Sequence, residues 1–345
     1  MKKQNIVNLI KYHMNNNPEA FVSESVNIAN DFYKSDDIEV AEYIMDLISN
    51  SNVYKPQSLH YDFAFLRKKE YSKNSLFLPD CVEDDIIGIT KSINNGFDVS
   101  KFLFYGKPGS GKTESALLIS RLLDRNAFFV NIEMVIDSKL GETSKNIVKL
   151  FNEIKRLPSD QSIVIFDELD SLVLNRINSN DLREMGRVTS TFIKELDDLN
   201  NDTVIIATTN ILENFDKAII RRFDSTISFD RYTKQDLIDV SCELLKKYIK
   251  KALNSKQDIR LFTKILNNLN SIPYPGEMKQ IIRTSIAFSD ENNEYDYLRR
   301  IYLALNENKK EINIKQLSEE GFTNREIEIL TKVSRSSVNR IIRSN

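Results

Sequence analysis

The clearest chemistry in this chain lies in eight consecutive residues, Gly106-Lys107-Pro108-Gly109-Ser110-Gly111-Lys112-Thr113, which fit the spacing G-x-x-x-x-G-K-[ST] throughout. Glycines at Gly106, Gly109 and Gly111 let backbone N–H groups turn inward, with Pro108 and Ser110 between them. At a helix N-terminus those donors and the helix dipole favour phosphate oxygens. In this motif the lysine, Lys112, reaches the β- and γ-phosphates, and the hydroxyl of Thr113 is placed for Mg²⁺. A second signal is Ile163-Val164-Ile165-Phe166-Asp167-Glu168, four apolar residues followed by two carboxylates. A buried strand ending in acids puts charge at the C-terminal edge of a sheet, where ligands bind. There Asp167 would complete the Mg²⁺ shell with Thr113, and Glu168 would polarise an attacking water.

Both motifs need a sheet behind them, and the flanking pattern supplies one. Short apolar runs at 102–105, 128–130, 163–166 and 204–207 alternate with helical periodicity, which predicts a mostly parallel sheet covered by helices over 81–230. Residues 231–305 lose the strand pattern and read as a helical lid. Residues 1–50 show helical spacing broken at 15–18 and 34–37, giving a small docking or oligomerisation module. Residues 51–80 are mixed and charged, as a linker would be, and 306–345 carry dense cap and turn signals.

Composition excludes several alternatives. Forty-eight basic and fifty acidic residues give a net charge of −2, so no global basic coat is available for nucleic acid. Two histidines and two cysteines, scattered, argue against a zinc site, a disulfide framework or a histidine triad. No apolar run reaches the ~18 residues of a membrane span. These features predict a soluble, cytoplasmic protein without membrane contact.

Together the motifs resemble those of the AAA+ ATPases, and among them the AAA family proper, over roughly residues 80–290. That resemblance implies a P-loop α/β fold with a helical lid, ATP and Mg²⁺ as cofactors, and self-association into a ring, a hexamer. It implies that Asn210, ending Val204 to Thr209, contacts the γ-phosphate or water. It also implies that Arg222 in Ile220-Arg221-Arg222-Phe223-Asp224 reaches a neighbouring subunit's nucleotide, with Arg221 as the alternative. Arg187 stands where family members touch the adjacent subunit. The adenine contacts are expected near Asp80 to Gly88.

The chain departs from the family at two places. Where family members that thread polypeptide carry an aromatic–aliphatic–Gly triplet, this chain has Lys139-Leu140-Gly141. The lid segment Pro275-Gly276-Glu277-Met278 offers no sensor-2 arginine, leaving Lys279 and Arg283 as candidate cations. The combination also resembles bacterial AAA ATPases linked to subtilisin-like proteases or to mobile-element and defence loci.

In the tail, Thr323 and Glu326 form a capping box, and the spacing through Val333-Ser334-Arg335 to Arg340 resembles a helix-turn-helix. Arg335, Ser336, Asn339 and Arg340 would then face DNA; the alternative is a small docking bundle. Two functions follow as expectations. One is a ring ATPase that remodels a partner protein, with an associated protease as a companion. The other is a DNA-dependent ATPase acting in transposition, replication or defence.

Overall fold

The computed structural model describes residues 3–14, 18–34, 38–49, 63–69, 76–136, 141–174, 182–250, 255–306 and 312–343. The chain divides into two compact units, Met1–Asp62 and Phe63–Asn345. The first holds α1 (Lys3–Met14), α2 (Pro18–Lys34) and α3 (Ile38–Ser49). Ile28, Ala29, Ala41 and Ile48 are its buried apolar residues among those described, on the faces that the helical spacing marks.

The second unit opens with β1 (Leu66–Lys69) and α4 (Asp80–Asn94). Then come β2 (Lys101–Tyr105), α5 (Lys112–Leu122), β3 (Asn126–Val130), α6 (Ile132–Val135), α7 (Glu142–Ile154) and β4 (Ser162–Phe166). α8 (Asp170–Leu174), α9 (Leu182–Asp197), β5 (Val204–Thr209), α10 (Lys217–Ile220) and β6 (Ser225–Ser228) complete the α/β layer. The sheet order is β1-β3-β4-β5-β2-β6, parallel except for β1. β1 lies inside the stretch expected to be a linker. Its sequence Leu-Arg-Lys-Lys has one buried residue and three exposed, the composition of an edge strand, so no alternating apolar signal marks it.

Alternation along the strands divides the core. Phe102, Phe104, Ile163, Ile165, Val204 and Ile206 meet α4 and α5 on one face. Leu103, Val164, Phe166, Ile205 and Ala207 meet α7 and α9 on the other. Phe166 is wedged against Phe151 and Phe192, with ring centroids 6.1 and 5.7 Å away, which fixes the strand end that carries Asp167.

The lid comprises α11 (Lys234–Ile249), α12 (Ile259–Asn267), α13 (Pro275–Ala287) and α14 (Asp296–Leu305). Thr233 and Asp236 form a capping box at its entry. The tail adds α15 (Ile314–Glu319), α16 (Asn324–Thr331) and α17 (Arg335–Arg343), with the expected Thr323–Glu326 capping box present. Leu317, Phe322, Ile327, Leu330 and Val338 of the tail lie in one apolar cluster with lid residues Leu245, Phe262, Met278, Tyr297 and Ile301. Among the described residues, no helix is long and apolar enough to cross a membrane.

Candidate nucleotide site

The sheet order positions the site. β5 lies between β2 and β4, so the phosphate-binding loop after β2 and the acids after β4 flank the end of β5. Gly106, Gly109 and Gly111 have φ of +145°, +75° and +104°. At Gly106 a Cβ would lie 3.1 Å from both Asp230 Oδ1 and Phe229 Cβ, so a side chain would be crowded there as well as strained by the backbone. Lys107 and Pro108 are exposed, while Ser110 is buried with its hydroxyl oxygen unpartnered.

Lys112 is buried at the first position of α5. Its ammonium donates to Gly106 O at 2.7 Å, Lys107 O at 3.0 Å and Asn210 Oδ1 at 2.8 Å. Burial lowers its pKa, against the pull of Asp230, Asp167, Asp170 and Glu168. All three acceptors are neutral, so the cation has no carboxylate in direct contact and suits an incoming phosphate.

Thr113 Oγ1 donates to Asp167 Oδ1 at 2.8 Å, joining the two residues expected around Mg²⁺. Thr208 Oγ1 donates to the same oxygen at 2.7 Å and accepts the Glu168 N–H at 2.9 Å. Thr208 is a residue that sequence reasoning passed over, although it stands two places before Asn210. Glu168 is at φ +53°, a left-handed backbone for a non-glycine residue. Such strain, of order 1–3 kcal/mol, persists where surrounding contacts hold it. Asp170 Oδ1 accepts the Asn210 N–H at 3.3 Å.

A second set of unanticipated residues reaches the loop from the lid side. Asp230 Oδ1 accepts the Lys107 N–H at 2.8 Å, and Tyr232 donates its hydroxyl to Ser110 O at 2.6 Å. Burial pushes the Tyr232 hydroxyl pKa far up, which keeps it a donor. The Gly276 N–H donates to Gly109 O at 2.8 Å. These contacts join residues more than a hundred positions apart, beyond the reach of local spacing.

Beside the loop a cavity of about 820 Å³ runs between α5 and the lid, with Gly109, Gly111, Glu114 and Leu117 on one wall and Val240, Leu244 and Gly276 on the other. From the segment before β2 it takes Leu76 and Phe77 and none of residues 80–88. α4 starts at Asp80 and turns Val82 and Ile86 into the sheet, while Asp80, Glu83, Asp84 and Ile87 are exposed. Lys279 and Arg283 also line the cavity, with the Arg283 guanidinium 5.9 Å from the Tyr248 ring centre.

The donor set passes a chemical test for a magnesium nucleotide. A loop of inward N–H groups and a buried ammonium suit polyphosphate, and an adjoining apolar cavity suits a base. One hydroxyl and one carboxylate are what Mg²⁺ takes from protein when phosphates and waters supply the rest. Among the described residues, no cluster of three or more His, Cys, Asp or Glu side chains forms a separate metal site.

The model of the family "ATPase family associated with various cellular activities (AAA)" matches residues 102–231. Residues 102–231 are an ATPase domain of the AAA family. This AAA domain spans β2 to the segment after β6, and so includes Lys112, Asp167, Glu168, Asn210 and Arg222. An uncharacterised AAA family ATPase, y4kL of Sinorhizobium fredii, is 32% identical over 178 residues, covering 49% of this chain and 53% of that protein. The chain thus spans about half the length of the curated relatives it matches.

Two solved structures share the AAA fold. The FIGL-1 AAA domain in complex with ADP has a TM-score of 0.51 at 15% identity, covering 75% of this chain and 91% of that one. A chain in the E. coli MS115-1 HORMA:CdnC:Trip13 complex has a TM-score of 0.54 at 16% identity, covering 70% and 95%.

The remaining expected residues are placed as follows. Arg221 and Arg222 are exposed just after α10, and Arg222 Nε pairs with Asp197 at 2.9 Å. Arg187 is exposed on α9. Ser138, Lys139 and Leu140 lie outside the described residues, while Gly141 stands at φ +78° as the N-cap of α7. On α17, Arg335, Ser336, Asn339 and Arg340 are all exposed. Arg335 pairs with Glu328 at 2.6 Å, and Asn339 Oδ1 accepts from Asn324 at 2.6 Å.

Proposed function

We propose that the chain hydrolyses ATP in a ring oligomer, a hexamer, and uses the cycle to remodel a partner protein. The observation carrying this reading is the contact set Lys112–Asn210 and Thr113–Asp167–Thr208–Glu168, in which cation, acid and polar sensor meet at the ends of three adjacent strands. On loading, the Lys112 ammonium exchanges its carbonyl acceptors for phosphate oxygens while Asn210 stays beside it. Thr113 and Asp167 would hold Mg²⁺, which would supply positive charge against that of the phosphates. Glu168, aimed by its left-handed backbone and its N–H on Thr208, orients and polarises the attacking water.

Transition-state charge calls for a further cation. Arg222 of the adjacent subunit supplies it, with Arg221 as the alternative. Its pair with Asp197 is half-exposed, so releasing it costs no more than about 1 kcal/mol. The ADP complex of the FIGL-1 domain and the multi-protein complex containing Trip13 support nucleotide and protein-partner readings by analogy of fold.

The test of remodelling is affinity purification of the Glu168→Gln chain. A companion polypeptide, an associated protease among the candidates, should be retained with ATP and released with ADP. Equal recovery in both nucleotides would remove the remodelling reading.

A second reading is a DNA-dependent ATPase. It is favoured by α17, which follows α16 across the turn 332–334, contains no acidic residue and exposes Arg335, Ser336, Asn339 and Arg340. Duplex binding that weakens steeply with salt, and fails in an Arg335→Ala/Arg340→Ala chain, would support it.

A further inference from the structure

The tail is joined to the lid by more than sequence. Asp296, at 1% exposure on α14, holds Arg300 Nε at 2.9 Å with one oxygen and Lys332 Nζ at 2.9 Å with the other. Lys332 is the left-handed residue that ends α16 and begins the turn into α17. Glu326, the capping-box residue of α16, also pairs with Lys264 of α12 at 2.7 Å. Lys264 Nζ stands 5.1 Å above the Phe322 ring, and Asn268 donates to Glu320 O at 3.4 Å. With the shared apolar cluster, these contacts tie α15–α17 to α12–α14, so that separating them exposes core and strands a buried carboxylate.

The other end of the same body rests on the phosphate loop. Gly276, at the start of α13, approaches so closely that a Cβ there would lie 2.8 Å from Gly109 Cα. Its N–H is bonded to Gly109 O, and Tyr232, just before α11, is bonded to Ser110 O. These contacts place α13 directly against the loop that would hold the phosphates.

We infer that lid and tail form one lever, through which the nucleotide held at Gly109–Gly111 sets the affinity of the basic face of α17 for duplex DNA, and DNA sets nucleotide affinity in return. This rests on the DNA reading of α17. Linkage requires the two effects to be equal in magnitude, and typical couplings run from about 5- to 150-fold.

The test uses the full-length chain and a fluorescein-labelled 40-bp duplex of mixed sequence at low salt. Duplex Kd is measured for Glu168→Gln with ATP, for the unmodified chain with ADP, and without nucleotide. A fluorescent ADP analogue is titrated with and without duplex. The lever predicts duplex affinities at least ~5-fold apart between ATP and ADP, and an ADP-analogue Kd that changes on adding duplex by the factor by which ADP changes duplex Kd.

Gly276→Ala, which forces α13 off the loop, should bring the ATP-to-ADP ratio of duplex affinities towards one. Tyr232→Phe, which keeps the ring and loses one loop contact, should reduce that ratio. Equal duplex affinity in all nucleotide states, with binding lost in Arg335→Ala/Arg340→Ala, would overturn the lever and leave DNA binding standing. A ratio untouched in both Gly276→Ala and Tyr232→Phe would overturn the route through the loop. Absence of duplex binding in every state would overturn the DNA reading and the lever together.

Discussion

The Lys112 ammonium and the Asn210 side-chain oxygen are 2.8 Å apart, a direct hydrogen bond between residues 98 positions apart in the chain. The bond exists because β5 is inserted between β2 and β4, bringing its terminal amide beside the cation of the loop. In the proposed cycle, a γ-phosphate that engages Lys112 would come within reach of Asn210, so that binding and sensing would share one contact.

Lys112→Met should abolish useful nucleotide affinity. Losing a charge-assisted contact of about 3 kcal/mol corresponds to about a 100-fold rise in Kd. Titration with a fluorescent ATP analogue measures this; a change below threefold would show that the ammonium is not the phosphate anchor.

Thr208→Val should separate binding from turnover. The substitution keeps shape but removes the hydroxyl that fixes Asp167 and accepts the Glu168 N–H. A loss of about 1.4 kcal/mol in alignment predicts roughly tenfold lower kcat with ATP affinity within about twofold of the unmodified chain. Steady-state ATPase assays with parallel binding curves check it.

Arg222 should act on a neighbour. Glu168→Gln and Arg222→Ala chains, each inactive alone, should regain activity when mixed, because in the proposed ring some interfaces of a mixed assembly would carry both native residues. No recovery over a range of ratios, in chains shown to co-assemble, would assign Arg222 to its own subunit's structure; its Asp197 pair then becomes its role.

Asp296 carries an acid-sensitive share of stability. Burial alone would raise its pKa, but Lys332, Arg300 and the Asp290 amide outweigh that and hold the carboxyl at about 2, below its ordinary 3.8. A depressed native pKa stabilises the fold above the unfolded value, and that contribution, at most about 2 kcal/mol, is lost as pH falls from about 4 towards 2. Asp296→Asn should lower Tm at neutral pH and flatten that acid limb, as followed by circular dichroism.

How much of this was legible beforehand follows from distance along the chain. The phosphate loop and the Asp167–Glu168 pair are contiguous and could be read directly, as could four strands whose apolar runs stand out. β1 and β6 could not: Leu66-Arg67-Lys68-Lys69 and Ser225-Thr226-Ile227-Ser228 are edge strands with one buried residue each. The clamp on the loop from Asp230, Tyr232 and Gly276 arises only when the lid folds back. Likewise Asp296–Lys332 and Lys264–Glu326 span 36 and 62 residues, so no local pattern showed that the tail shares the lid's core. Thr208 was within sight, one residue inside a recognised strand end, but its role depends on Asp167 arriving from β4.

The account stands most directly on Glu168. Steady-state ATP hydrolysis by Glu168→Gln, measured beside its ATP affinity, should show turnover reduced by about 100-fold or more with ATP affinity retained. Turnover equal to that of the unmodified chain would contradict the assignment of this site as the hydrolytic centre.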